Sequence, residues 1–230
     1  MQTFELDGRR IAVNRAADPA APAVYLNAYA ESKAQAVLDA LNALEAPEVT
    51  LVVASGFDWN NEMSPWAIDA IAKHMGPMKG EADKTLDWIM KRLVPAIETD
   101  GDGRLEPRWR ALAGYSLAGL FALYAATRMD AFSRLGSMSG SLWYPDFAKY
   151  FAAHALSPAV EAVYFSLGDA EHKSRNEVLA SVRSRTEAVY KDVESRGVAT
   201  TFVLNSGNHF RDADARTAAG IAWLAAHPGK

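Results

Sequence analysis

Short apolar, β-branched runs alternate along this chain with stretches of helical spacing, and that alternation restricts the fold more than anything else in the sequence. Residues 23–26, 49–54, 109–113, 135–139, 160–167 and 200–204 read as strands, and 32–44, 83–97, 117–127, 176–195 and 211–226 as helices. Within 32–44, Ala34, Val37, Leu38, Leu41 and Leu44 share one face, as a period of 3.6 requires. Strands with no polar alternation are covered on both faces, and strands separated by helices run parallel. The expectation is one α/β domain over residues 1–230, a mostly parallel sheet with helices on both faces. Residues 3–6 and 10–14 alternate and are joined by Asp7-Gly8, a tight-hairpin signal that adds antiparallel strands at one edge. Ligands in such sheets bind beyond the carboxyl ends of the strands. The residues that matter most are then Asn27, Gly56, Ser116, Ser139, Gly168 and Gly207.

Composition removes several function classes. Half of the 230 residues are apolar, enough for one well-filled core, and the formal charge of −4 offers no general attraction to nucleic acid or to an anionic membrane surface. There is no cysteine, so disulfides, thiolate metal sites and a cysteine nucleophile are excluded; a reducing, cytoplasmic setting is the expectation. The first ten residues contain no apolar leader, and no apolar run approaches the roughly 20 residues that span a bilayer.

The chemistry concentrates at Gly114-Tyr115-Ser116-Leu117-Ala118-Gly119, between a strand and a helix. This is close to the Gly-x-Ser-x-Gly elbow, with Ala118 in place of the second glycine. A serine on so sharp a turn needs small neighbours, and the helix that follows aims its N-terminus at the developing oxyanion. Serine is also a preferred helix cap, so the motif read without its flanks is equally a cap. The apolar strand before it and the apolar helix after it favour a nucleophile.

A base should follow the last strand. His209, in Asn205-Ser206-Gly207-Asn208-His209, sits there, whereas His74 and His154 lie near helix ends, His172 in a polar loop and His227 in the terminal tail. An acid to orient the imidazole should follow the preceding strand, and Asp169 and Glu171 both do. One oxyanion donor is the Leu117 N–H; the other should come from Asn27-Ala28-Tyr29, with the Tyr29 N–H favoured.

With these residues in place the chain resembles the putative-esterase family of α/β-hydrolases, and within it the siderophore (enterochelin) esterase branch. The resemblance rests on Gly-Tyr-Ser-Leu-Ala-Gly-Leu-Phe-Ala-Leu from Gly114, on Ser137-Met138-Ser139-Gly140-Ser141-Leu142-Trp143 and on Ser166-Leu167-Gly168-Asp169-Ala170-Glu171. It implies the α/β-hydrolase fold, no cofactor, and a catalytic set of Ser116, His209 and an acid. Members often carry the acid three residues after a strand-end glycine, which implies Glu171 rather than Asp169. The long N-terminal domain and the arginines that siderophore esterases place around catecholates have no counterpart in this sequence, so the resemblance does not carry their substrate with it.

The sequence carries weaker signals beside these. Glu98-Thr99-Asp100-Gly101-Asp102-Gly103-Arg104-Leu105 looks like part of a calcium loop, but its twelfth position is Trp109 where a glutamate is needed, which favours a polar turn. Trp59, Tyr115 and Trp143 are candidate pocket residues; Trp59, Trp66 and Trp143 are equally candidates for core packing. Ser64-Pro65 reads as a helix start. The expected function is hydrolysis of a small-molecule carboxylic ester or lactone through acyl-Ser116, small or aromatic esters being favoured over long lipids because no long cap segment is present. Acyl transfer by the same Ser-His site and a non-catalytic binding role on the same fold are the alternatives.

Overall fold

A computed structural model describes residues 1–72, 75–99 and 104–227. His74 and Asp100–Gly103 of the calcium-like loop fall outside the described residues. The chain opens with β1 (Gln2–Leu6) and β2 (Arg9–Asn14). Their turn residues Asp7 and Gly8 both have positive φ, 51° and 79°, the twist a two-residue hairpin prefers. Then follow β3 (Ala23–Asn27), α1 (Lys33–Ala43), β4 (Thr50–Ser55), α2 (Trp59–Glu62) and the small hairpin of β5 (Ala67–Ile68) and β6 (Met78–Lys79). The middle of the chain gives α3 (Ala82–Trp88), α4 (Val94–Glu98), β7 (Arg110–Tyr115), α5 (Leu117–Ala125) and β8 (Arg134–Met138). It ends with α6 (Phe147–Ala153), β9 (Ala162–Gly168), α7 (Glu177–Ala180), α8 (Val182–Ser195), β10 (Ala199–Asn205) and α9 (Ala213–Ala226).

Eight strands form one sheet in the order β1-β2-β4-β3-β7-β8-β9-β10. β1–β2 and β2–β4 are antiparallel, and every pairing from β4 to β10 is parallel. This is the mostly parallel sheet that the alternating pattern implied, and the α/β-hydrolase fold that the resemblance implied. Successive strand residues feed opposite faces: Val24 and Leu26 join α1 and α9 in one core, while Ala23 and Tyr25 join the core under α3 to α8. From β3 the chain first moves outward to β4 and later returns on β3's other side as β7. The reversal opens a crevice at the carboxyl ends of β3 and β7, where such sheets bind ligands. No helix among the described residues is long and apolar enough to cross a membrane.

Four readings of the elements need correction. The single helix expected over 83–97 is α3 and α4 joined by a π turn at Ile89–Leu93. Pro95 lies just after it and has no N–H to give to the carbonyl four residues back, so the regular ladder is broken there. The helix expected over 176–195 is divided at Ser181, whose hydroxyl donates to the Val178 carbonyl; Asn176 caps the first part, accepting from the Val178 and Leu179 amides. Ser64-Pro65 starts no helix. The buried Ser64 hydroxyl donates to the Asn61 carbonyl and accepts from the Gly80 N–H, tying two loop segments together. Helix α6, between β8 and β9, lies outside the segments whose spacing reads as helix. Phe147 and Tyr150 on it pack against Trp66, which in turn packs on Tyr144.

Candidate active site

Ser116 stands between β7 and α5 with φ 61° and ψ −125°, a conformation L-residues rarely adopt. Its surroundings impose it. The Ser116 N–H donates to the Met138 carbonyl, and its own carbonyl accepts from the Gly119, Leu120 and Ser141 amides. The turn closes only because Gly114 lacks a side chain: a Cβ there would lie 2.3 Å from the Ala118 methyl. Ala118 therefore fills the space beside Gly114 itself, which is why the second elbow glycine is dispensable here. The Ser116 hydroxyl makes no cap hydrogen bond to α5, so it is left for other partners.

Those partners are 3.1 Å away at His209 Nε2 and 3.2 Å away at Ser141 Oγ. His209 Nδ1 lies 2.7 Å from Glu171 Oε2. With Glu171 ionised, Nδ1 carries the imidazole proton and Nε2 accepts from the Ser116 O–H. A hydroxyl, an imidazole and a carboxylate thus stand in one hydrogen-bonded line, brought together from the ends of β7, β10 and β9. Such a line can take a proton off the hydroxyl and hold the resulting imidazolium against a negative charge.

Glu171 is 4% exposed at its side chain, and burial on its own would push the carboxyl up. The His209 hydrogen bond and charge, with the Gly168 N–H and the Ser139 hydroxyl, outweigh burial and hold it below the ordinary carboxylate value. Oε1 accepts from the Gly168 N–H at 2.5 Å and from Ser139 Oγ at 2.7 Å. Asp169, the other acid left open by the sequence, does something else. Its Oδ1 accepts from the Gly207 N–H at 2.8 Å, stitching the β9 loop to the β10 loop.

Register explains the second oxyanion candidate. Asn27 pairs with Gly114 in the β3–β7 ladder, so the turn after β3 lies beside the elbow. The Ala28 N–H is already given to the Ala54 carbonyl, whereas the Tyr29 and Leu117 amides donate to no backbone carbonyl among the described residues. A cavity of about 360 Å³ opens at Ser116 and His209 and runs between α1 and α9. Leu26, Ala28, Val37 and Ala213 line it, with Tyr115 and Trp59 at its sides. Tyr29 and Phe210, 74% and 85% exposed, stand at its mouth, and Lys33 Nζ meets Asp214 at 2.9 Å across it.

Of the pocket residues expected from sequence, Trp59 and Tyr115 line this cavity and Trp143 does not. Trp143 is 8% exposed and packs on Tyr144, because the segment after Ser141 turns into the core on the α6 side of the sheet. Two residues at the site were missed. Ser141 is one. The other is Arg216, 3% exposed on α9, whose Nη1 donates to the Asn208 carbonyl at 3.1 Å and lies 3.4 Å from Glu171 Oε1. Arg216 had a readable signal: it recurs with Gly220 and Leu224 on the buried face of α9, an arginine at a core position.

Comparison with known proteins extends these observations. The chain is 24% identical over 180 residues to "Uncharacterized protein YbbA" of Bacillus subtilis (strain 168), covering 76% of this chain and 72% of that one. Its fold matches the siderophore hydrolase EstB from Aspergillus nidulans with a TM-score of 0.73 at 18% identity, over 100% of this chain and 96% of that one. It also matches an IroE-like serine hydrolase from Shewanella oneidensis with a TM-score of 0.74 at 17% identity, over 96% of this chain and 78% of that one. The family model for putative esterases matches residues 25–210, from β3 to just past His209, and the chain belongs to that family of hydrolases.

Proposed function

We propose that this chain is a serine esterase that cleaves a carboxylic ester or lactone through an acyl-Ser116 intermediate. The observation that carries the reading is the unbroken Ser116–His209–Glu171 line, with contacts of 3.1 and 2.7 Å, at the mouth of an apolar cavity. His209 Nε2 takes the Ser116 proton as Oγ attacks the ester carbonyl, and the oxygen that becomes negative is received by the Leu117 and Tyr29 amides. The imidazolium, balanced by Glu171, returns its proton to the leaving alcohol. Water then enters and gives a proton to Nε2 as its oxygen attacks the acyl carbon, and Nε2 returns that proton to Ser116 Oγ as the acid leaves. The family, and the siderophore hydrolase and serine hydrolase among the structural neighbours, support ester cleavage by serine. The cavity favours a compact apolar or aromatic group over a long lipid.

The test is a fluorophosphonate probe on the purified protein, followed by mass mapping. Label on Ser116 and its absence in Ser116→Ala are expected. Ser116→Ala and His209→Ala should each lower kcat on a short-chain aryl ester by at least about three orders of magnitude, since the members act as a unit. Wild-type turnover by Ser116→Ala would sink the reading.

A further inference from the structure

We propose that Arg216 is a positioning residue for this chemistry, a clamp that holds the loop bearing His209 against the loop bearing Glu171. The inference rests on the serine-esterase reading above and adds to it a residue outside the Ser-His-acid set. Arg216 lies in the first turn of α9, where a cation faces the positive end of the helix dipole. It is also almost fully desolvated. Both effects count against an arginine there, so its partners must compensate.

They are drawn from both loops. Nη2 donates to the Ser206 carbonyl at 3.0 Å and Nη1 to the Asn208 carbonyl at 3.1 Å, on either side of Gly207 and just before His209. Nη1 also faces Glu171 Oε1 at 3.4 Å and Ser139 Oγ at 3.4 Å, the oxygen and the hydroxyl that fix the carboxylate. A planar fork with several donors in fixed directions can serve carbonyls and a carboxylate together; an ammonium cannot. The space is built around it. A Cβ on Gly168 would lie 2.3 Å from the Gly207 carbonyl oxygen and 3.0 Å from Arg216 Nη1, so the two loops meet only because residue 168 is glycine. Tyr115 completes the clamp: its hydroxyl donates to the His209 carbonyl at 2.6 Å, and burial pushes the phenol up, which keeps that proton in place.

The experiment measures kcat and KM on a short-chain aryl ester for Arg216→Met, Arg216→Lys and Arg216→Ala, with kcat normalised to the folded fraction. Each change is repeated in a Glu171→Gln background. Arg216→Met should lower kcat about 10–100-fold with KM within about twofold, as expected for a group that orients reacting partners without touching substrate. Added guanidinium ion should restore part of the activity of Arg216→Ala and none to the wild type. Because the clamp works on the Glu171–His209 contact, the Arg216→Met loss should shrink to under about threefold in Glu171→Gln. A wild-type kcat per folded molecule in Arg216→Met overturns the inference, and so does a loss that guanidinium does not reverse and that adds fully to Glu171→Gln. Should the Met and Ala variants fail to fold, Arg216→Lys decides alone: a kcat at least about fivefold down with KM held supports the clamp, and an unchanged kcat overturns it. Labelling of wild-type Ser116 keeps the two readings apart. Its failure sinks the serine esterase, whereas labelled Ser116 beside a fully active Arg216→Met sinks only the clamp.

Discussion

Glu171 and Asp169 follow the same strand-end glycine, and the sequence alone left both as candidate acids. One methylene and two residues of loop separate their roles: Glu171 reaches His209, and Asp169 reaches the Gly207 amide. We expect Glu171→Gln to lower kcat roughly 10²–10³-fold, because an amide can favour the wrong imidazole tautomer and cannot balance imidazolium. Asp169→Asn should cost under about tenfold in kcat and appear mainly as a change in Tm. The pair of kcat values checks the assignment; a large loss for Asp169→Asn with Glu171→Gln near wild type would reverse it. Glu171 also has a stability signature. Its carboxyl is held below the ordinary 4.5, so the stability it contributes is complete above that value and is lost as pH falls through the lower folded value. The Tm difference between wild type and Glu171→Gln should therefore narrow as pH falls below about 4.5. Ser116 and His209 were legible as candidates because strand ends and chain order are local or nearly local properties, whereas only the family resemblance separated Glu171 from Asp169. Arg216 was harder to read, because arginines on helices are so often solvated and only its spacing with Gly220 and Leu224 betrays the buried face.

At the scale of the element, the elbow shows what a motif does and does not require. The space at residue 114 must be empty, whereas residue 118 can be alanine because its methyl occupies that space. Gly114→Ala should cost about 1–3 kcal/mol, an overpacking penalty visible as a lowered Tm, and displace Ser116 enough to reduce turnover. Ala118→Gly, which restores the usual motif, should keep kcat within about threefold and cost roughly 0.5–1 kcal/mol of helix stability. Denaturant titration together with an ester assay on both variants checks the pair. The π turn at Ile89–Leu93 illustrates the opposite case. The apolar residues of 83–97 carry a helical period, so the period announces a helix; the break comes from the missing N–H of Pro95, one atom that no hydropathy pattern registers.

For the whole molecule, the question is on which side of the sheet the cavity opens. The sequence placed aromatic residues in two loops, around Trp59 and at Trp143, and nothing local says to which face each loop returns. The topology decides it. The reversal at β3 and β7 puts the cavity between α1 and α9, so Trp59 borders it and Trp143 is drawn into the opposite core. Val37, buried on α1, projects toward this space. Val37→Phe should fill part of the cavity and lower kcat/KM for hexanoyl aryl esters several-fold more than for acetyl esters, since pocket volume discriminates by roughly 1–3 kcal/mol per misplaced methylene. Equal effects on the two chain lengths would show that the acyl group lies elsewhere.

The backbone of Ser116 has a consequence for the stability of the chain. A residue at φ 61° is held there against its preference, at a cost of order 1–3 kcal/mol that alanine would carry as fully as serine. Glycine would shed that cost and give back only about 0.4–1 kcal/mol through a looser unfolded chain. Ser116→Gly is therefore expected to melt above Ser116→Ala, as scanning calorimetry can check. Glycine at 116 would thus gain stability only by giving up the hydroxyl, the trade-off between stability and activity expected where the backbone of a reactive residue is strained.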